Sequence, residues 1–266
     1  MNPQSSERSG IQSVEVGFAL LQVLAESDQP LMLRDLAASA GMSPAKAHRY
    51  LVSYQRLGLV LQDSATTRYD LGPTALQLGL AALARVDAVR MARERVPQLL
   101  AQIGHTVALA VWGNHGPTLI HWEESENALT VNLRLGDVMP LLTSATGQCF
   151  AAFNQRGTNR QRMSAMIDQE VASMKAMHRF DAPTTKVAVK QLIQTVQQQG
   201  FGRVVNTLLP GIAGVCVPVF DADGHLALGV VALGSTSTFD ANDDGPVIEA
   251  MKQLGEGLSR DLGHRA

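Results

Sequence analysis

Cysteine is almost missing: the 266 residues hold only Cys149 and Cys216, far apart and without metal-ligand partners nearby. That argues against a disulfide framework or a zinc site, and each cysteine is expected to be a small buried residue. No apolar run approaches the ~20 residues needed to span a bilayer, and the opening MNPQSSERSG has no hydrophobic stretch of a secretory leader. A cytoplasmic protein with no membrane partner is expected. Excess positive charge is missing too, since the net charge is −2, so the chain as a whole is not a polyanion binder. Repeats are absent, and the only loose polar tract is residues 1–10. What is present is 45% hydrophobic residues at a mean hydropathy of +0.03, enough for about two globular domains.

The most informative stretch is SAGMSPAKAHRYL, residues 39–51. Gly41 can take the left-handed conformation that ends a helix, Ser43 is a good N-cap, and Pro44 fits the first helical position. One helix stops and another starts at once. The first, from about Leu31, carries Leu33, Leu36, Ala37 and Ala40 on one stripe, and the second carries Ala47, Tyr50, Leu51 and Tyr54. Left outside on the second helix are Lys46, His48, Arg49, Ser53 and Arg56, donors suited to phosphates and base edges. This is the layout of a helix-turn-helix, although capped helical hairpins also occur as plain packing motifs.

The residues after the hairpin favour DNA. Residues 58–63 read as a strand, 64–67 as a turn and 68–71 as a returning strand, a β-wing with Thr67 and Arg68 near its tip. Upstream, Ser13 is placed to cap a helix with the stripe Val16, Ala19, Leu20, Val23 and Leu24, closing a winged unit of about 60 residues. Residues 1–75 are not basic, with six cations against seven carboxylates, yet from Ser43 to Arg68 four cations face only Asp63. The positive charge is local, so tight binding is expected to need more than one subunit. The candidate DNA contacts are Ser43, Pro44, Lys46, His48, Arg49, Ser53, Thr67 and Arg68.

A helix over residues 72–85 carries Leu76, Leu80 and Leu83 on one stripe and Leu78 and Ala82 on another, more apolar surface than a small domain covers. It reads as linker and dimer contact, or equally as a core helix. Residues 88–266 then mix helices and strands. Helix is expected over 90–102, 146–153, 159–166, 183–199 and 240–262, and strand over 105–112, 116–122, 128–134, 201–205, 213–220 and 226–233. The turn DADG at 221–224 is a strong hairpin signal. The pattern implies an α+β domain with one antiparallel sheet. The acidic run 239–245 is read as complementing the dipole of the last helix rather than as a metal site.

In order and spacing these segments resemble the isocitrate lyase regulator (IclR) family over about residues 11–262. The resemblance rests on SVEVGFALLQVLAES, LRDLAASAGMSPAKAHRYLVSYQRLGLV and RYDLGPTALQLG, then on LGDVMPLLTSATGQCFAAF and QQGFGRVVNTLLPGIAGVCVPVFDADGHLALGVVALGS. It implies an α+β chain: a winged helix-turn-helix over 11–72, a linker helix over 73–87 and a GAF-like effector-binding and oligomerisation domain over 88–266. It also implies a homodimer or homotetramer on double-stranded, palindromic operator DNA. Transcription would be regulated through a small molecule, often a carboxylate from a catabolic pathway, with no cofactor, metal or catalytic residue.

Carried over residue by residue, the effector site is Ala145, Thr146 and Gly147 at the start of the SATGQCF helix, Val204 after GFG, and Gly214, Val231 and Leu233 on the returning strands. Free N–H groups at Thr146 and Gly147 and the helix dipole suit a carboxylate. Relatives that bind small hydrophilic acids often place Asp after the GF strand and Ser on the last strand, where this chain has Val204, Val231 and Leu233. The resemblance therefore implies a more apolar pocket and a larger or aromatic acid. The family's basic residue after the SATG glycine is Gln148 here, and an acidic position before GIAG is Thr207.

Two rivals stand beside this reading. Cys149 in a first helical turn, with His105, His115 or His121 as base, would make an enzyme, but nothing fixes a partner at a nearby spacing. His121 beside Trp122 reads as an ordinary strand residue. Alternatively, the second domain only dimerises and binds no ligand. A sealed, mostly apolar cavity would separate the two non-enzymatic readings.

Overall fold

The computed structural model describes residues 10–83, 87–126, 133–154, 158–179 and 182–265. It divides into two compact units, Met1–Val86 and Asp87–Ala266.

In the first unit α1 (Gln12–Glu26), α2 (Leu33–Ser39) and α3 (Pro44–Arg56) precede a two-stranded wing, β1 (Val60–Gln62) and β2 (Tyr69–Leu71), and then α4 (Pro73–Leu83). Leu20, Leu36 and Leu51, one from each of the first three helices, are fully buried with Ala37, Ala47, Val60 and Tyr69. Truncating one such leucine to alanine typically costs about 2–5 kcal/mol. Gly41 takes φ +66°, the left-handed turn expected of it, and Ser43 Oγ accepts from the Lys46 N–H at 3.4 Å. The cap proposed at Ser13 is not there. α1 begins two residues earlier than that cap would set it, with Ile11 at the N-cap and no side-chain bond, so Ser13 is already helical. Tertiary burial of Leu20 and Leu24 holds this helix, and its start needs no cap of its own. Along α4, Leu76, Leu78 and Leu80 are exposed; the side chains of Ala82 and Leu83 lie outside the described residues.

The second unit runs α5 (Ala88–Ile103), β3 (Thr106–Gly113), β4 (Gly116–Glu123), α6 (Ala145–Phe153), α7 (Thr158–Ala176), α8 (Lys186–Gln199), β5 (Gly202–Val205), β6 (Ile212–Phe220), β7 (Leu226–Ser235) and α9 (Pro246–Asp261). The strands form one antiparallel sheet in the order β4-β3-β7-β6-β5. Alternation divides its side chains cleanly. Val107, Leu109, Val215, Val217, Val230 and Ala232 pack with α5 and α9, whereas Ala108, Ala110, Cys216, Val231 and Leu233 face α6. Both faces are covered, so the strands read as continuous apolar runs.

Three expectations need amendment. The strand placed at 128–134 falls mostly on residues 127–132, outside the described residues. The helix expected over 159–166 runs on to Ala176, because Met163, Met174 and the half-buried Ile167 and Val171 fill a second core with Leu141 and Leu142. The last helix starts at Pro246 rather than near 240, with Gly245 as N-cap and no side-chain cap, so the acidic run is a loop, not a cap. There Asp243 pairs with Arg203, and Asp240 accepts the Asn242 N–H.

Candidate functional site

Two places bring the sequence-selected residues together. On α3, burial of Ala47 and Leu51 turns Lys46, His48, Arg49 and Ser53 outward, all exposed, below the Ser43–Pro44 start. Ser43, Lys46, Arg49 and Ser53 line one surface hollow with Ser13 of α1. In the wing, Asp63 Oδ1 accepts the N–H groups of Ala65 and Thr66 and the Thr66 hydroxyl, which hold its carboxyl below the usual value. That turn forces Thr67 to φ +58°, uncommon for a β-branched residue. Arg68 is exposed, but Nη1 donates to the Pro30 carbonyl at 2.9 Å, so one of its five donors ties the wing to the segment before α2.

The second place is a cavity between α6 and the sheet. Ala145, Thr146, Val204, Gly214, Val231 and Leu233 all line it. Sequence reasoning missed Leu119, Leu133, Met139, Leu208, Leu209 and Ile212, which complete a wall whose polar side chains are Ser144 and Thr146. The cavity measures about 20 Å³, room for roughly one water. Gly147 is not in the wall. Its N–H is taken by the Ser144 cap at 2.8 Å, leaving the Ala145 and Thr146 N–H groups of the helix start without a partner among the described residues. A Cβ on Gly147 would lie 1.8 Å from the Pro140 carbonyl oxygen, so the residue serves close packing of the preceding loop.

The proposed nucleophile Cys149 is completely buried beside Cys216, whose thiol burial pushes up, and among the described residues no hydrogen bond joins Cys149 to a histidine. His105 packs on the Phe239 ring at 4.8 Å, and His121 Nε2 lies 3.3 Å from Glu123 Oε2. Asp221, Asp223 and His225 gather their ligand atoms within 4.8 Å, but Asp221 Oδ1 accepts the other two N–H groups and so builds the β6–β7 turn.

A family model described as the bacterial transcriptional regulator IclR C-terminal domain matches residues 80–260, and the IclR helix-turn-helix domain matches residues 13–64. The chain belongs to the IclR family. It is therefore a DNA-binding transcriptional regulator. Among its relatives, the HTH-type transcriptional regulator KdgR of Dickeya chrysanthemi is 25% identical over 96% of this chain and 81% of that protein. The glycerol operon regulatory protein of Streptomyces coelicolor is 26% identical over 95% and 97% respectively. Among solved structures, Pseudomonas aeruginosa HmgR superposes with a TM-score of 0.86 at 33% identity, over 96% of this chain and all of that one. The Agobacterium tumefaciens repressor BlcR, 19% identical, shares the fold at TM-score 0.74, over 97% of this chain and 100% of its own. Among the described residues no helix is long and apolar enough to cross a membrane.

Around the cavity this IclR-family chain has its own polar ties. Gln148 Nε2 donates to the Leu142 carbonyl at 3.2 Å and its Oε1 accepts the Arg203 N–H at 3.3 Å, joining the loop before α6 to β5. Thr207 offers its carbonyl to Arg179 Nη2 at 2.6 Å. Glu170 of α7 accepts the Leu141 and Leu142 N–H groups at 2.6 and 3.0 Å, clamping the same loop. No local pattern marks Glu170, which sits in a long polar helix.

Burial raises the Glu170 carboxyl above its ordinary 4.5, although the two N–H groups pull it down. An acid raised in the folded state contributes stability that is present below the unfolded value and lost as pH rises through the folded one. The native protein is therefore expected to gain stability over Glu170→Gln on acidification from about pH 7 to about pH 4.5. Urea midpoints of both at each pH check this; a difference that does not change with pH would show that burial does not dominate there.

Proposed function

We propose that the cavity beneath α6 receives an aromatic carboxylate, and that its occupancy governs the hold of paired α3 helices on a palindromic operator. The observation that carries the reading is the convergence of Ala145, Thr146, Val204, Gly214, Val231 and Leu233 on one mostly apolar cavity. Apolar walls suit a ring, while the Ala145 and Thr146 N–H groups at the α6 start suit a carboxylate. Since the cavity holds about one water, entry of a ligand displaces Leu208 and Leu209. Their segment is flanked by Asn206 at φ +59° and Gly211 at φ +78°, tied through Asn206 Oδ1 and the Gly211 N–H at 2.7 Å.

Two subunits would pair through apolar residues that the first unit leaves exposed: Ile11 at the cap of α1, Val14 and Phe18 on it, and Leu76, Leu78 and Leu80 on α4. Such pairing supplies the second recognition helix that a palindrome requires, and ligand binding would alter the spacing between the two. KdgR and the glycerol operon protein are regulators, which supports a chain without catalytic chemistry acting on DNA in the cytoplasm.

Thermal melting against a panel of aliphatic and aromatic carboxylates tests the ligand class. At 100 times its dissociation constant a ligand adds about 2.7 kcal/mol, a shift of roughly 5–10 °C for a domain of this size. Aromatic acids are expected to give that shift and Val204→Phe, on the half-buried edge strand, to reduce it while operator binding persists. A shift with small hydrophilic acids alone would refute the apolar reading. The small cavity favours one alternative, a second unit that only joins subunits, and it predicts no shift with any acid.

A further inference from the structure

The outer edge of the sheet is uneven. β5 begins at Gly202, opposite Cys216, so residues 217–220 of β6 have a strand neighbour only on the β7 side. Pro218 has no N–H to offer there, and the Phe220 N–H donates to Ser259 Oγ of α9 at 2.9 Å. Ser259 in turn donates to the Gly255 carbonyl at 2.7 Å. The edge is thus closed to an added strand.

Beyond it is a hollow of about 640 Å³ bounded by β6, α9 and the ends of α6 and α8. Small-ligand sites are typically ~300–1,000 Å³. Its apolar wall is made by the rings of Phe153 and Phe220, edge to face at 5.7 Å, with the His264 ring 5.1 Å from Phe220. Its polar wall carries the cations Lys252 and Arg260 against the carboxylate Glu256, and Arg265, which has a partner of its own, also lines it. Lys252 Nζ lies 4.9 Å from the centre of the Phe201 ring. The carboxylate next to Arg260 in the chain, Asp261, pairs with Arg95. Aromatic faces against surplus cations select a flat ring bearing a negative group: the ring stacks while the anion takes charge-assisted bonds.

We propose that this hollow is a second ligand site, distinct from the effector cavity, that takes aromatic anions such as aryl carboxylates and sulfonates. The two sites lie on different stretches of β6. Gly214, in the cavity wall, pairs with Val204, whereas the hollow begins at Val217, past the end of that pairing.

The test is a fluorescence titration of the full-length protein with 1-anilinonaphthalene-8-sulfonate. One saturable site per chain is expected, displaced by benzoate and not by inorganic sulfate at equal ionic strength. Lys252→Gln with Arg260→Gln is expected to weaken it at least about tenfold, the loss of a charge-assisted bond, with an unshifted melting midpoint. If the pair of changes lowers that midpoint, Arg260→Gln alone, at an exposed position, decides by the same dye affinity. Val204→Phe, which fills the effector cavity, is expected to leave the dye site intact, so the two sites fail independently. Dye affinity unchanged by the charge variants, lost in Val204→Phe, or displaced by sulfate overturns the proposal, as does the absence of saturable binding.

Discussion

Lys46→Ala combined with Arg49→Ala is expected to weaken operator binding by roughly a thousandfold while the melting temperature stays nearly unchanged. Both residues are exposed on α3, whose buried side is formed by Ala47 and Leu51, so neither contributes to the core. A base-edge contact is worth about 1–3 kcal/mol, and a dimer on two half-sites loses four such contacts, so even the lower figure removes about 4 kcal/mol. The salt dependence separates the roles, since each lost phosphate contact lowers the log–log slope by about 0.9. Gel-shift or anisotropy titrations at several salt concentrations give both quantities. An affinity within about threefold of the parent would place the DNA elsewhere, and a melting point lower by many degrees would show these side chains to be structural.

The second large effect concerns a residue that never meets DNA. Gly147→Ala is expected to destabilise the second unit by about 3 kcal/mol or more, beyond the usual upper end of overpacking. Its Cβ would fall 1.8 Å from the Pro140 oxygen and 2.5 Å from the Leu141 Cα, backbone atoms that Glu170 and the Ser144 hydroxyl hold in place. Relief requires α6 or the loop to move, which also deforms the cavity wall at Ala145 and Thr146. At 2–4 °C per kcal/mol for a domain of this size, calorimetry is expected to show a fall on the order of 10 °C. Gly79→Ala in α4 is the control, because a Cβ there meets nothing within 4 Å and alanine favours a helix interior by about 0.5–1 kcal/mol. Equal melting of the two variants would show that α6 and its loop adjust freely.

The residues that local chemistry governs were legible in advance. Gly41, Ser43 and Pro44 set the helix-turn-helix because a left-handed glycine, a hydroxyl cap and a proline at the first helical position act within a few residues of each other. The DADG turn behaved alike, with Asp221 gathering the Asp223 and His225 N–H groups. Ser13 and the 239–245 run were misread for the same reason: a capping residue type is a local invitation, and burial of distant leucines or the Arg203–Asp243 pair decides whether it is used.

The sequence by itself determined two compact units, the exposed polar face of α3 and an antiparallel sheet beside a capped α6, since helix stops, caps, turns and alternation are short-range. Only the tertiary structure decided that β3 pairs with β7 at the centre, that Glu170 and Gln148 fasten the loop before α6, and that Leu208 and Leu209 close the cavity. It alone separated Gly147, which makes room for a backbone, from Ala145 and Thr146, which line a space. Those distinctions depend on which surfaces meet across tens of residues, and neither spacing nor propensity carries that information; the register of long-range packing does.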